Sequence, residues 1–358
     1  MNYELIHDDC KEVLATIADA SIDLIALDPP YYRVKDEAWD NAWDNRGEFL
    51  AWLGTVVDEW KRVLKPNGSL YVFASPQMAW HVEGVIRDRF NVLNTISWVK
   101  DAGWHQKSSE ESLRCYFPQI EKIIFAEKFN SDNIALGESG YDQKCDKLRG
   151  FIFEPIRAYL DGEREKAGVS IRQVAEEFQK KTGSRTVTGM AGHWFTGVQW
   201  TLPTKQNYEW LRHTLSKLNH KGDYLRTQYE DLRTQYEDLR RPFNATPDAP
   251  YTDVWTFPTV QARAGKHSCE KPLALMEHIV RLSSKPGATV LDCFLGSGTT
   301  GHACVNLDRN FIGVDSSAHW VRYSERRLRD AQRLKQRQPK QITGHESDYS
   351  DSPLFAAS

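Results

Sequence analysis

Apolar and polar positions along the chain alternate between short, almost wholly apolar runs and longer stretches of helical period. Residues 21–27 are nearly continuous in apolar side chains, the pattern of a parallel strand covered on both faces. Residues 48–60 repeat as a helix, Leu64-Lys65-Pro66-Asn67-Gly68 punctuates the chain, and residues 69–73 read as the next strand. Strand, helix, turn and strand make a βαβ unit with a right-handed crossover. A second unit places a helix over 78–89 and a strand over 92–99, and residues 123–126 read as one more strand. The same alternation returns from Lys271, with helices over 273–283, 300–307 and 318–334 and strands over 288–292 and 311–315.

The middle has a different character. Residues 131–150 are rich in Gly, Asp and Ser and read as a linker or loop. Ser170 and Gln173 stand at capping-box spacing ahead of an amphipathic helix, and a helix-turn-helix layout over 166–215 is one arrangement this pattern allows. The string Leu-Arg-Thr-Gln-Tyr-Glu-Asp occurs twice over 225–238. Its Leu225, Tyr229, Leu232, Tyr236 and Leu239 form a heptad seam, predicting one long helix on a partner helix or a second subunit, stopped by Pro242. The tail from Gln338 reads as disordered.

Composition narrows the class. A chain of 358 residues with 40% hydrophobic and 27% charged residues can bury a full core. No apolar run reaches the roughly 20 residues needed to span a bilayer, and the first residues lack a secretory pattern. Six cysteines without paired spacing argue against a disulfide framework and a zinc site, so no metal is expected and the expected compartment is the cytoplasm. The net charge of −3 does not advertise a nucleic-acid binder, but residues 166–220 carry a local excess of five positive charges and residues 320–340 of six. Phosphate contacts need only such a local face, although solvated basic surfaces are equally common.

Two strings carry the chemistry. Asp28-Pro29-Pro30-Tyr31 ends the apolar run 22–27 and sets a carboxylate, a carbonyl and an aromatic face at one spot, which suits an exocyclic amine on a planar ring. Asp292-Cys293-Phe294-Leu295-Gly296-Ser297-Gly298-Thr299 joins a strand to a helix, the context in which a glycine loop binds a ligand. No Lys follows its second glycine, so it is not a P-loop, and it lacks the third glycine of the dinucleotide fingerprint. Asp315 ends the next strand, where an acid can accept hydrogen bonds from two ribose hydroxyls. A glycine loop and an acid without a phosphate grip indicate a nucleoside cofactor, and S-adenosylmethionine fits.

These residues resemble the bacterial and phage DNA amino-methyltransferases of the permuted order called β. There the Asp-Pro-Pro-Tyr string comes first, the target recognition region lies in the middle and the Phe-x-Gly-x-Gly loop comes last. The resemblance covers about 1–128 and 255–332, and Gly192-His193-Trp194-Phe195 with Gln199–Thr204 is similar to a middle segment of phage enzymes. It implies an α/β, doubly wound, Rossmann-like methyltransferase fold with an inserted, mainly helical recognition region. The implied parts are a catalytic half at 1–130, a linker and recognition region at 131–254, a cofactor half at 255–337, and the tail at 338–358.

The resemblance also implies roles. Asp28 and the Pro29 carbonyl would accept from the target amine, with Pro30 in the same catalytic string, and Tyr31 would stack on a base flipped out of the duplex. Asp9, with Cys10 beside it after the first strand, would hold the adenine of S-adenosylmethionine. Phe294, Gly296, Ser297, Gly298 and Thr299 would form the cofactor loop after Asp292, Lys271 and Pro272 would flank the methionine end, and Asp315 would take the ribose. The family often has Glu at the Asp315 position and His-Pro where this chain has His267-Ser268, which leaves His267 outside the expected catalytic set. Tyr32, Trp39 and Trp43 are candidates to clamp the flipped nucleotide. For His193 and Trp194 a packed aromatic cluster is preferred over base contact.

The expected activity is adenine-N6 methylation of double-stranded DNA, because cytosine-N4 enzymes of this group more often have Ser at position 28. Cytosine-N4 methylation is the alternative, followed by a catalytically silent DNA-binding module, or methylation of RNA or protein. A homodimer and a restriction endonuclease partner stay open, as does the target sequence.

Overall fold

The computed structural model describes residues 2–101, 116, 118–128, 153–187, 189–197, 199–219, 222–244, 252–261, 265 and 267–337. The expected linker over 131–150 and the expected tail from 338 lie outside them.

Among the described residues, one mixed sheet of eight strands organises the fold. Its strands are β1 (Tyr3–His7), β2 (Ile22–Leu27), β3 (Leu64–Ala74), β4 (Asn91–Val99), β5 (Ile120–Glu127), β6 (Val254–Thr256), β7 (Thr289–Asp292) and β8 (Asn310–Asp315). Their order across the sheet is β1-β8-β7-β2-β3-β5-β4-β6, with β5 antiparallel to both its neighbours and every other pair parallel. The apolar run that predicts β2 is buried on both faces. Ile25 and Leu27 pack into a core with Leu14, Phe49, Trp60 and Ile86, while Leu24 and Ala26 pack into a second with Met276, Ile279, Ala303 and Leu328. Successive residues of a strand face opposite ways, so each face receives alternate side chains.

Helices cover both faces. Those of the first core are α1 (Cys10–Thr16), α2 (Arg46–Val63) and α3 (Ala79–Arg87). Asp9 caps α1 by accepting from Lys11 N at 2.8 Å, and Asn45 caps α2 by accepting from Glu48 N at 3.0 Å. The expected turn at 64–68 is already strand. Leu64 faces Ile22 and Ser69 faces Leu24, so three extra residues of β3, Pro66 among them, are accommodated in a bulge. Proline cannot donate to a ladder and is tolerated there.

The central region forms a separate helical cluster of α4 (Glu154–Lys166), α5 (Ile171–Thr182), α6 (Lys205–Leu218) and α7 (Tyr229–Leu239). The Ser170–Gln173 capping box of α5 is present. Residues 183–204 separate α5 from α6, far more than the three or four of a helix-turn-helix, so the layout expected over 166–215 is not formed by those two helices. The long heptad helix is also shorter than expected. Leu225 has φ +53° and lies outside it, leaving α7 to begin at Tyr229. A non-glycine residue at positive φ cannot continue a right-handed helix. The seam is used within the chain: Tyr236 stacks on Phe153 at 4.6 Å and Tyr229 meets Tyr208 at 5.7 Å. Trp194 and Phe195 are buried in this cluster, with Trp194 edge-on to Phe178, as a packed aromatic group.

The remaining helices, α8 (Leu273–Ser283), α9 (Thr299–Asn306) and α10 (Ala318–Arg337), cover the second face. Among the described residues no helix is long and apolar enough to cross a membrane.

Candidate active site

β2 and β7 lie side by side although more than 260 residues separate them, with Leu24 opposite Val290 and Ile25 opposite Leu291. From β7 the chain crosses through α9 to β8 on one side; from β2 it crosses through α2 to β3 on the other. The two crossovers diverge, leaving a crevice at the carboxyl ends of the strands, where open α/β sheets bind ligands. A cavity of about 620 Å³ opens at this point. Of the expected catalytic and cofactor residues, all line it except Pro272 and Gly298, the N-terminal caps of α8 and α9; of the three clamp candidates Trp39 and Trp43 line it and Tyr32 does not.

Asp28 sits at the floor. Its Oδ2 accepts from the Lys271 ammonium, while Oδ1 is buried without a hydrogen-bond partner among the described residues. Burial pushes the Asp28 carboxyl up, with Lys271 beside it pulling the other way. Lys271 is held cationic by Asp28 and Glu121 against the desolvation that favours its neutral form. Lys271 therefore reaches Asp28 as well as lining the cavity, a contact that motif position alone did not disclose. Its ammonium also lies 5.3 Å from the Tyr31 ring centre and 4.9 Å from that of Phe73.

Tyr31 is placed at both ends. Its hydroxyl donates to Glu121 Oε2 at 3.1 Å and its backbone N–H to Asp40 Oδ1 at 2.6 Å. Asp40 is wholly buried, and its Oδ2 accepts from Val34 N and Lys35 N, each at 2.7 Å. That carboxylate closes a loop in which Tyr32 and Arg33 take φ +60° and +59°. Of the aromatic candidates here, Tyr32 stacks on Phe49 at 5.6 Å, Trp43 packs against Phe49 and Trp52, and Trp39 lines the cavity.

The opposite wall is the glycine loop. Asp292 Oδ2 accepts from Thr300 Oγ1 at 2.6 Å and Oδ1 from Phe294 N at 3.1 Å, and burial pushes its carboxyl up to about 7. Gly296 N donates to Asp315 Oδ2 at 2.8 Å, while Asp315 Oδ1 accepts from Ser317 N at 2.8 Å. Asp315 therefore shapes the loop and faces the cavity with lone pairs to spare. Gly298 is required by close approach: at φ +72° an added Cβ would lie 2.6 Å from Ser324 Oγ. Phe294 meets Trp52 at 6.0 Å, joining the loop to the aromatic cluster on α2. Asp9 lines the far end, its Oδ1 engaged in capping α1.

Several site residues escaped the sequence reading. His267, set aside there, lines the cavity; its ring packs edge-on to Trp320 at 4.4 Å, Nδ1 accepts from Cys269 N, and burial lowers its pKa. The Lys-Pro pair two residues beyond Cys269 was the available signal for this segment. Asp40 and Glu121 gave none, since their burial depends on distant partners. Among the described residues, no group of His, Cys, Asp and Glu is arranged to hold a metal ion.

A family model for DNA methylases matches residues 22–326. The chain belongs to that DNA methylase family. The cofactor of this family is S-adenosylmethionine. The methylase is 26% identical over 319 residues to the type II methyltransferase M1.MboII of Moraxella bovis, covering 87% of this chain and 91% of that one. It is 25% identical over 335 residues to the DNA adenine methyltransferase YhdJ of Escherichia coli, covering 90% and 82%. In fold it is similar to the PvuII DNA methyltransferase, a cytosine-N4-specific protein, at TM-score 0.50 and 12% identity over 93% of this chain and 92% of that one. The methylase thus has the Rossmann-like, doubly wound α/β fold with an inserted, mainly helical region.

Proposed function

We propose that the chain is an adenine-N6 methyltransferase acting on a base flipped out of double-stranded DNA, with S-adenosylmethionine as methyl donor. The observation that carries the proposal is Asp28 Oδ1: a buried acceptor without a partner among the described residues, in a cavity shared with the glycine loop. An unsatisfied buried acceptor costs about 1–3 kcal/mol, and an amine N–H entering the cavity would remove that cost.

The residues present fit the cofactor. The cavity volume lies in the range of small-molecule sites, roughly 300–1,000 Å³. Asp315 is the ribose acceptor, Asp9 and Cys10 flank the adenine end, and Gly296–Thr299 with Phe294 form the loop. Lys271 and Pro272 open the segment at the other end. Bound there, S-adenosylmethionine supplies an electrophilic methyl on a sulfonium. Asp28 Oδ1 and the Pro29 carbonyl accept from the target amine, which turns its lone pair out of the ring. Tyr31 stacks on the flipped base, and Pro30 keeps the strand end rigid. Alignment and electrostatics at these fixed groups supply the rate. The helical cluster of α4–α7, inserted between the two halves, is the recognition region of the β order.

Adenine is favoured by the carboxylate at position 28 and by the relative named as an adenine methyltransferase. The test is incubation with unmethylated duplex DNA and labelled S-adenosylmethionine, then mass spectrometry of the nucleosides. N6-methyladenine from the wild type, and none from Asp28→Ala with cofactor binding retained, is expected. N4-methylcytosine alone would overturn the base assignment, and an active Asp28→Ala variant the catalytic one.

A further inference from the structure

Glu121 lies on β5, the antiparallel strand, away from both motif strings. Its Oε2 accepts from the Tyr31 hydroxyl at 3.1 Å and lies 3.4 Å from Lys271 Nζ, and its Oε1 accepts from Lys100 at 2.5 Å. Lys271, almost fully buried, is hydrogen-bonded to Asp28 Oδ2. One cation therefore stands between two shielded carboxylates, bonded to one and within reach of the other.

We infer that Glu121 is a positioning residue of the methyl transfer, holding Tyr31 by its hydroxyl and taking the Lys271 ammonium from Asp28 when the target amine arrives. This rests on Asp28 being the acceptor of that amine. With Lys271 on Oδ2, the charge of the Asp28 carboxylate is already shared with a cation, and Oδ1 is a weaker acceptor for it. Moving the ammonium to Glu121 frees Asp28 without leaving the cation alone, which matters because an unpaired buried charge is expensive. Without the Glu121 charge, Lys271 stays on Asp28 and the incoming amine must compete with an ion pair at low local dielectric.

The groups facing Asp28 give the readout that a merely structural role would not move. They are Lys271 and Cys269 from the segment before α8, Tyr31 from its own loop, Glu121 from β5 and Asp292 from β7; Lys100 of β4 faces Glu121. The charge of Glu121 pushes the Asp28 carboxyl up. Its removal therefore moves the acid limb of the kcat profile, set by ionisation of Asp28, to lower pH while kcat itself falls.

The experiment is steady-state methyl transfer to unmethylated duplex DNA across pH, with cofactor binding by calorimetry. It compares the wild type with Glu121→Gln, Glu121→Asp and Asp28→Ala. Glu121→Gln is expected to lose roughly tenfold to a hundredfold in kcat, keep its cofactor affinity and shift its acid limb down. Wild-type kcat and acid limb in Glu121→Gln, with Asp28→Ala inactive, would overturn the role of Glu121 alone. An active Asp28→Ala variant would overturn the underlying assignment. Glu121→Asp keeps the charge, so the inference stays open to refutation even where the amide variant does not fold. Its acid limb should match the wild type while the shorter side chain lowers kcat, and undiminished kcat would overturn the inference.

Discussion

Replacing Asp40 by Asn should unfasten the loop behind Tyr31 without unfolding the sheet. The Asp40 carboxylate is wholly buried and accepts three backbone N–H groups, from Tyr31 at 2.6 Å and from Val34 and Lys35 at 2.7 Å. An amide offers one oxygen. Its better orientation keeps the Val34 and Lys35 donors on that oxygen and turns the NH₂ toward Tyr31 N–H. One charge-assisted bond, about 1.5–3 kcal/mol, becomes a donor facing a donor, and the two that survive lose the charge. The expected cost is about 2–4 kcal/mol. Tyr32 and Arg33 add to the tendency to open, because both sit at positive φ that the carboxylate sustains. At about 1.4 kcal/mol per factor of ten, amide exchange at Tyr31, Val34 and Lys35 should accelerate roughly 30- to 700-fold. Hydrogen exchange read by mass spectrometry checks this, with β2 amides as the internal control. Methyl transfer should fall while cofactor affinity holds, since Asp315 and the glycine loop are untouched. Wild-type protection at the three amides, or equal loss of protection in β2, would refute the reasoning.

Other outcomes follow from the opposite wall. Gly298→Ala should weaken cofactor binding and lower Tm, because its Cβ would lie 2.6 Å from Ser324 Oγ at φ +72°. Adding Ser324→Gly should restore only part of the loss, as the left-handed backbone still costs about 1–2 kcal/mol; full restoration would mean that strain plays no part. Asp292 titrates near 7 when folded against an ordinary 3.8, so the folded state holds its proton more tightly. Its contribution to stability is complete below about 4 and is lost as pH rises toward about 7. Asp292→Asn should accordingly show a smaller decline in unfolding free energy over that window than the wild type, by denaturant titration at stepped pH, and identical slopes would count against it.

How much of this was legible in the sequence depends on how far apart the cooperating residues are. Apolar runs located β2, β3, β4, β5, β7 and β8, because a strand buried on both faces has few other compositions available, whereas β6 drew no reading and β1 entered only through the resemblance. The direction of β5 was not legible, since period-two patterning is the same for parallel and antiparallel neighbours. The doubled string at 225–238 misled because heptad spacing states which residues would share a face, not whether the backbone at Leu225 is helical. At the site, Asp28 and the glycine loop were readable from local chemistry at strand ends. Lys271 was found by position but not by its contact with Asp28. Glu121 and Asp40 were hidden because an acidic residue in a strand or loop looks like surface until folding brings donors to it.

The pairing of β2 with β7 has a consequence for how the protein comes into being. The strand bearing Asp28 leaves the ribosome more than 260 residues before β7, the neighbour that completes its edge. β1 likewise waits for β8, where Tyr3 pairs with Phe311. Such distant pairings form slowly and leave strand edges open in the meantime. The nascent chain therefore carries Asp28 for a time with no glycine loop opposite it, and the cavity is complete only once β7 and β8 have been made. Cut within the helical insertion, the two halves would each hold one wall of the cavity, and activity would return only when they meet.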